Sequence, residues 1–298
     1  MKLDKARQKF VDFLKRARRA SATILAYTKD IAQLVEFLKE KKITDTTHVS
    51  RADIEAFMAK LSKNGYTLKS ISRKTNATKT FFKFLKTEGI TKDDPASLVA
   101  HPKFETKPPR TLTPLEYRAL RDASRHDPRV NGIVEILLQT GIRISELANL
   151  RVGDVVFADE TKEGSLYIRP IEGHPERTIP LNKAVEAAIS KYLQVRPKIS
   201  TSPKTKPAVA HLFVTKSGRP FLIRNIRTVI DRYFKKAGIT GAKVNDLRHT
   251  WVVHHLSKGV SVVLVSKLAG HKRLSTTERY LSLIKEKAKE EKVKLEEL

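Results

Sequence analysis

Four prolines, Pro95, Pro102, Pro108 and Pro109, fall within the sixteen residues Pro95–Arg110. Each fixes its own φ and removes a backbone donor, so no helix and no central strand can run through this stretch. It is the sharpest boundary in a chain of 298 residues, a length that suits about two domains. The division read from it is a helical domain over 1–105, the end of a proline-rich linker over 106–111 and a second domain over 112–298. On the far side a helix opens cleanly, with Thr113 as cap, Pro114 at the first helical position and Glu116 at the third.

The first hundred residues read as helical. In Ser21–Lys41 the residues Tyr27, Ile31, Leu34 and Leu38 form one stripe, with Ser21 as the cap. Ser50 and Asp53 have capping-box spacing ahead of Ile54, Phe57, Met58 and Leu61, and Asn64-Gly65 ends that helix. A helix over 68–87 carries Ile71, Phe81, Phe82, Phe84 and Leu85, whose spacing favours a core over a base-stacking face. Lys69, Arg73, Lys74 and Lys79 fall between these apolar positions and are candidate contacts to a nucleic-acid backbone.

The second part mixes helices with short strands. Val130–Thr140 is almost wholly apolar and reads as a buried helix broken by Gly141; another short helix starts at Ser145. Strands are expected at 155–157, 166–169 and 177–181, the last two joined as a hairpin, with later helices near 182–195, 223–237, 246–258, 262–270 and 275–289. The whole is mainly α with a small β-sheet.

Charge narrows the partner. Lys and Arg number 59 against 32 Asp and Glu, a net +27. A folded chain so charged needs counter-charges, and nucleic acid is the leading source; an anionic membrane surface is the alternative. No apolar run approaches the ~20 residues of a membrane span. The charged N-terminus has no signal-peptide pattern. With no cysteine, disulfides, thiol nucleophiles and Cys-ligated zinc are excluded. His254-His255 makes no metal pair, because neighbours on a helix diverge and no third ligand is suitably spaced. Trp251 reads as core, and His249 as structural though within reach of the site described next.

Three segments carry chemistry: Thr140-Gly-Ile-Arg-Ile-Ser-Glu-Leu147, Asp246-Leu-Arg-His-Thr-Trp251 and Leu268-Ala-Gly-His-Lys-Arg-Leu-Ser-Thr-Thr-Glu-Arg-Tyr280. Two arginines at helix starts can grip one phosphate through forked hydrogen bonds. An imidazole at a turn and a phenol nine residues later suit phosphoryl transfer through a tyrosyl ester. In order and spacing these segments resemble the tyrosine recombinases, the integrase family that includes the Xer recombinases. The N-terminal half is similar to that family's helical, SAM-like core-binding domain, and the C-terminal half to its α+β catalytic domain.

The resemblance implies roles. Arg143 and Arg248 match the two catalytic arginines, His271 the later His/Trp position and Tyr280 the nucleophile that forms a 3′-phosphotyrosyl link. Bond energy is kept in that link, so neither a metal nor ATP is implied. Glu146 matches an acidic neighbour of the first arginine, read either as an orienter or as a helix N-terminal charge. Two positions depart from the pattern. Asn245 stands where the family usually has a His, and an amide cannot exchange a proton near neutral pH. Glu172 aligns with the catalytic lysine, and an ionised carboxylate cannot protonate a leaving 5′-oxygen; His174, Arg169 and Lys162 are the nearest alternatives. The resemblance therefore implies either an active site-specific recombinase or a weakened relative acting mainly as a sequence-specific DNA-binding protein. It also implies double-stranded DNA clamped between the two domains, a homotetramer on two recombination sites with the tail after Tyr280 exchanged between neighbours, room for an accessory protein or partner recombinase, and a cytoplasmic, nucleoid-associated location.

Overall fold

A computed structural model describes residues 1–105, 108–171, 173–197 and 211–284. Glu172, residues 198–210 and the tail from residue 285 lie outside them. The chain divides into two compact units, Met1–Thr106 and Lys107–Leu298.

The first unit holds α1 (Leu3–Arg16), α2 (Ser21–Glu40), α3 (Arg51–Lys63) and α4 (Leu68–Thr87). The Ser50–Asp53 capping box forms in full at the start of α3. Ser21 is the first helical residue of α2 instead of its flanking cap, a position that Ala20 holds. Phe81, Phe82 and Phe84 are buried as expected, and Phe10 of α1 meets the Phe81 ring edge-on at 5.3 Å. Full burial of an aromatic ring stabilises by about 1.5–3 kcal/mol, so this cluster ties α1 to α4.

The second unit begins with α5 (Pro114–Ser124), whose Thr113–Glu116 capping box and leading proline are as the sequence predicts. α6 (Pro128–Thr140) follows, capped by Asp127, with buried residues all round its circumference. α7 (Ile144–Asn149) starts one residue before the expected Ser145, with Arg143 in the flanking position. The strands β1 (Val155–Val156), β2 (Ser165–Ile168) and β3 (Arg177–Pro180) make an antiparallel sheet in the order β1-β2-β3, with Leu166 opposite Ile179 and Ile168 opposite Arg177. Then come α8 (Lys183–Val195), α9 (Ile223–Lys236), α10 (Val244–Ser257) and α11 (Val262–Ala269), and residues 275–284 form α12. No helix among the described residues is long and apolar enough to cross a membrane.

Gly141 closes α6 in the left-handed conformation, at φ +61°. A Cβ there would lie 2.6 Å from Cδ2 of the buried Trp251. Both the backbone and the packing therefore require glycine. Gly141→Ala is expected to destabilise the protein by about 2–4 kcal/mol, measured as a lower urea midpoint with an unchanged slope.

Candidate active site

The site is built where α6, α7, α10, α11 and the β2–β3 hairpin converge. Beyond Gly141 the chain turns into α7, and Glu146 folds back on the turn, accepting the backbone N–H of Arg143 at 2.8 Å. Its buried carboxylate also accepts Arg177 Nη1 at 2.9 Å and Nη2 at 2.8 Å, a forked pair from the start of β3, and Arg143 Nη1 at 3.1 Å. Burial alone would raise this carboxyl, but the bonds and charges of Arg177 and Arg143 together outweigh it and hold it below its ordinary value. Glu146 is thus both the helix-start charge and the carboxylate that orients Arg143.

The end of α11 fixes the arginines from the other side. The last carbonyls of a helix lack intrahelical partners and carry partial negative charge. Here Leu268 O accepts Arg177 Nε at 2.7 Å, Ala269 O accepts Arg143 Nη1 at 3.3 Å and Gly270 O accepts Arg143 Nη2 at 2.7 Å. Gly270 is left-handed at φ +67°, and a Cβ there would sit 2.8 Å from Arg177 Cζ. Glycine therefore lets the guanidinium lie flat against the turn.

Arg248 lies on α10, whose start is closed by the Lys243 N–H donating to Asp246 at 2.8 Å. Its Nη1 donates to Gly141 O at 2.5 Å, while the buried Nη2 has no partner among the described residues. Burial, reinforced by Arg143, lowers its pKa to about 9, so it stays charged at neutral pH. Beside it opens a cleft of about 530 Å³ whose lining includes Ile144, Arg227, Lys243 and Asn245. A buried cationic donor without a partner at the wall of a basic cleft is a seat for an anion.

Tyr280 arrives on α12, 5 % exposed. Burial raises its phenol, and Arg248, Arg279 and Arg143 pull it back. The ring of His271 lies parallel to it, with centroids 6.3 Å apart, and His271 Nδ1 pairs with Thr277 Oγ1 at 2.7 Å. Burial, with Arg248 and Arg143, pushes His271 down to about 3, so it is neutral near physiological pH. The Tyr280 hydroxyl hydrogen-bonds to His249 Nδ1 at 2.6 Å, and His249 Nε2 meets Asn245 Nδ2 at 2.7 Å.

The structure therefore brings Arg143, Arg248, His271, Tyr280 and, through His249, Asn245 into one site. Of the alternatives for the lysine role, Arg169 is held by Asp154 at 2.6 Å and 3.2 Å, and Lys162 pairs with Asp159 at 3.2 Å. His174 lies in the field of Arg143 and Lys272, with its Nδ1 buried and unpartnered among the described residues. Lys272 reaches the hairpin, its Nζ 3.2 Å from where a Gly173 Cβ would be. Arg177, His249 and Lys272 have parts here that the motifs alone do not assign. Of these, His249 had a local signal, lying four residues after Asn245 on one helix face.

The four basic residues singled out on α4 lie in the other unit. Lys69 is exposed. Arg73 pairs with Asp30, and Lys79 donates to Ser97 O at 3.1 Å. Lys74 is buried, its ammonium on Asp30 at 2.8 Å, bonded to Gln33 and 5.2 Å over the Tyr66 ring. It thus holds α2 to α4 and is closed off from solvent.

The site thus sets two arginines, a histidine and a tyrosine together beside a small antiparallel sheet packed among helices. The phage integrase family profile matches residues 110–287, and that of the phage integrase N-terminal SAM-like domain matches residues 8–89. The chain belongs to this family, that of the tyrosine recombinases. It is 30% identical over 293 residues to tyrosine recombinase XerC of Listeria monocytogenes, covering 96% of this chain and 95% of that one. To tyrosine recombinase XerC of Oceanobacillus iheyensis it is 29% identical over 287 residues, covering 94% and 92%. Among solved structures, XerH site-specific recombinase bound to its palindromic difH substrate superposes with a TM-score of 0.73 at 16% identity, over 90% of this chain and 78% of that one. A lambda integrase dimer bound to a core site gives 0.73 at 16%, over 93% and 97%.

Proposed function

We propose that this protein is a site-specific DNA recombinase that cuts and rejoins strands through Tyr280. The observation that carries the reading is the meeting of a buried tyrosine hydroxyl with two arginines, one of which keeps a buried donor free. Arg143 and Arg248 grip the non-bridging oxygens of the scissile phosphate and neutralise the charge that builds there. Neutral His271 donates a further hydrogen bond from Nε2, its Nδ1 then accepting from Thr277. Tyr280 attacks the phosphorus, the 5′-oxygen leaves, and a 3′-phosphotyrosyl ester holds the bond energy, so the step calls for neither ATP nor a metal. A 5′-hydroxyl from a partner strand reverses the step. The substrate is double-stranded DNA, as in the XerH and lambda integrase structures. The N-terminal unit, with Lys69 and Arg73, adds core binding, and a homotetramer on two sites is the working assembly. A second reading, a weakened relative that mainly binds DNA, is favoured by Asn245 at a position where the chemistry wants an imidazole.

One experiment separates them. Duplexes selected for binding carry a nick beside the cleavage point, so that a released fragment diffuses away and the covalent adduct accumulates. The wild type is expected to give a denaturant-resistant adduct that maps to Tyr280, and Tyr280→Phe none, with equal binding. Site-selective binding without a wild-type adduct, or an adduct that survives Tyr280→Phe, overturns the proposal.

A further inference from the structure

We propose that His249 takes the Tyr280 proton on Nδ1 during cleavage and returns it during rejoining, while Asn245 holds the imidazole in the tautomer that leaves Nδ1 free to accept. This rests on the recombinase reading and deepens it.

The phenol must lose its proton as it attacks, and in its buried setting it does not shed that proton to water unaided. Arginine is no acceptor, and Asn245 cannot exchange a proton. His271 has Nδ1 on Thr277 and stacks beside the tyrosine ring. His249 Nδ1 lies on the hydroxyl itself, at 2.6 Å, within the reach a general base requires. Asn245 and His249 stand four apart on α10, so the amide braces the imidazole from the opposite nitrogen. With Nδ2 toward Nε2, the ring donates from Nδ1 and supports a phenolate. A half-turn of the carboxamide puts Oδ1 at the same place, commits Nε2 to carry the ring proton and leaves the Nδ1 lone pair facing the tyrosine. The Oδ1 orientation serves both halves of the reaction, because the imidazolium formed on cleavage still carries its Nε2 proton and donates it to the amide oxygen.

The step balances. As Oη bonds to phosphorus and the P–O5′ bond breaks, the hydroxyl proton moves to Nδ1, and the leaving 5′-oxygen takes a proton from water. On rejoining, a 5′-hydroxyl attacks and gives its proton to water, the P–Oη bond breaks, and the imidazolium returns its proton to the phenolate. The groups facing His249 are Tyr280 from α12, His271 from the loop after α11, and Asp246 and Arg248 on its own helix. Burial keeps the imidazole below its ordinary value, helped by Arg248 and opposed by Asp246. It is therefore neutral and ready to accept at physiological pH.

The test is single-turnover adduct formation on the nicked duplex across pH. Wild-type cleavage is expected to fall in acid, with its limb below the ordinary imidazole range, because burial holds the His249 imidazole down. His249→Ala is expected to be ~10²–10⁴-fold slower with equal DNA binding, to lose that acid limb, and to regain rate with added imidazole. Asn245→Asp is expected to move the acid limb to higher pH, since a carboxylate stabilises the imidazolium. Sulfur in place of the bridging 5′-oxygen needs no acid at the leaving group, so it is expected not to rescue His249→Ala. Full rescue by sulfur, or a His249→Ala rate and pH profile like wild type, overturns this inference alone. Absence of any wild-type adduct overturns it together with the recombinase reading.

Discussion

Arg248→Ala is expected to slow covalent cleavage by ~10³-fold or more while leaving the duplex bound. Removing a single donor to developing phosphoryl charge typically costs ~10²–10³-fold, and this side chain brings both a charge and a free buried Nη2. Its Nη1 is held by Gly141 O, so the guanidinium spans a protein carbonyl and the phosphate seat at once. Lysine has one nitrogen and cannot do both. Arg248→Lys is therefore expected to keep most of the binding and still lose ~10²-fold in cleavage. Single-turnover adduct formation, read beside equilibrium binding, checks both variants. Equal cleavage by wild type and Arg248→Ala would remove this residue from the mechanism.

The second large effect is on stability. Arg177 and Glu146 form a buried forked pair, at 2.9 Å and 2.8 Å, and Arg177 also closes the end of α11. Removing Arg177 takes the forked pair from a buried carboxylate and leaves Arg143 as its remaining partner, and breaking a buried pair in this way costs about 3–5 kcal/mol. For a unit of this size Arg177→Ala is expected to lower the melting temperature by about 10 °C. Acid acts on the same pair. The Glu146 carboxyl is held below 4.5, so the pair stabilises fully above that value and loses its contribution as pH falls through the lowered one. Thermal melts of the wild type and Arg177→Ala at neutral pH and near pH 4 check both statements.

Much of this was legible in the chain because it is written locally. The Ser50–Asp53 and Thr113–Glu116 boxes need three residues of separation, and the phenylalanines of α4 need one helix turn. The four principal site residues were legible for another reason: their motifs keep an order and spacing that resemble a known family. Partnerships across long separations were not legible. Lys74 and Asp30 lie 44 positions apart, Arg177 and Glu146 31, and His249 and Tyr280 31. Each depends on which helix faces which, and no local pattern encodes that. Lys74 shows the cost of reading charge from periodicity alone: on α4 it looks like one more basic contact, yet an aspartate on α2 draws it inward. Ser21 shows the limit at short range: α2 takes it as the first helical residue and leaves Ala20 as the flanking one.

Around Glu146 stand three guanidiniums, those of Arg143, Arg177 and Arg248. One carboxylate does not balance three guanidiniums, so the described residues of the site keep an excess of positive charge in a largely buried place. A phosphodiester carries the opposite charge and offsets part of that excess. The strain of keeping the pocket open and the attraction that draws DNA into it are therefore one free energy, counted once in the unbound protein and recovered when the strand arrives.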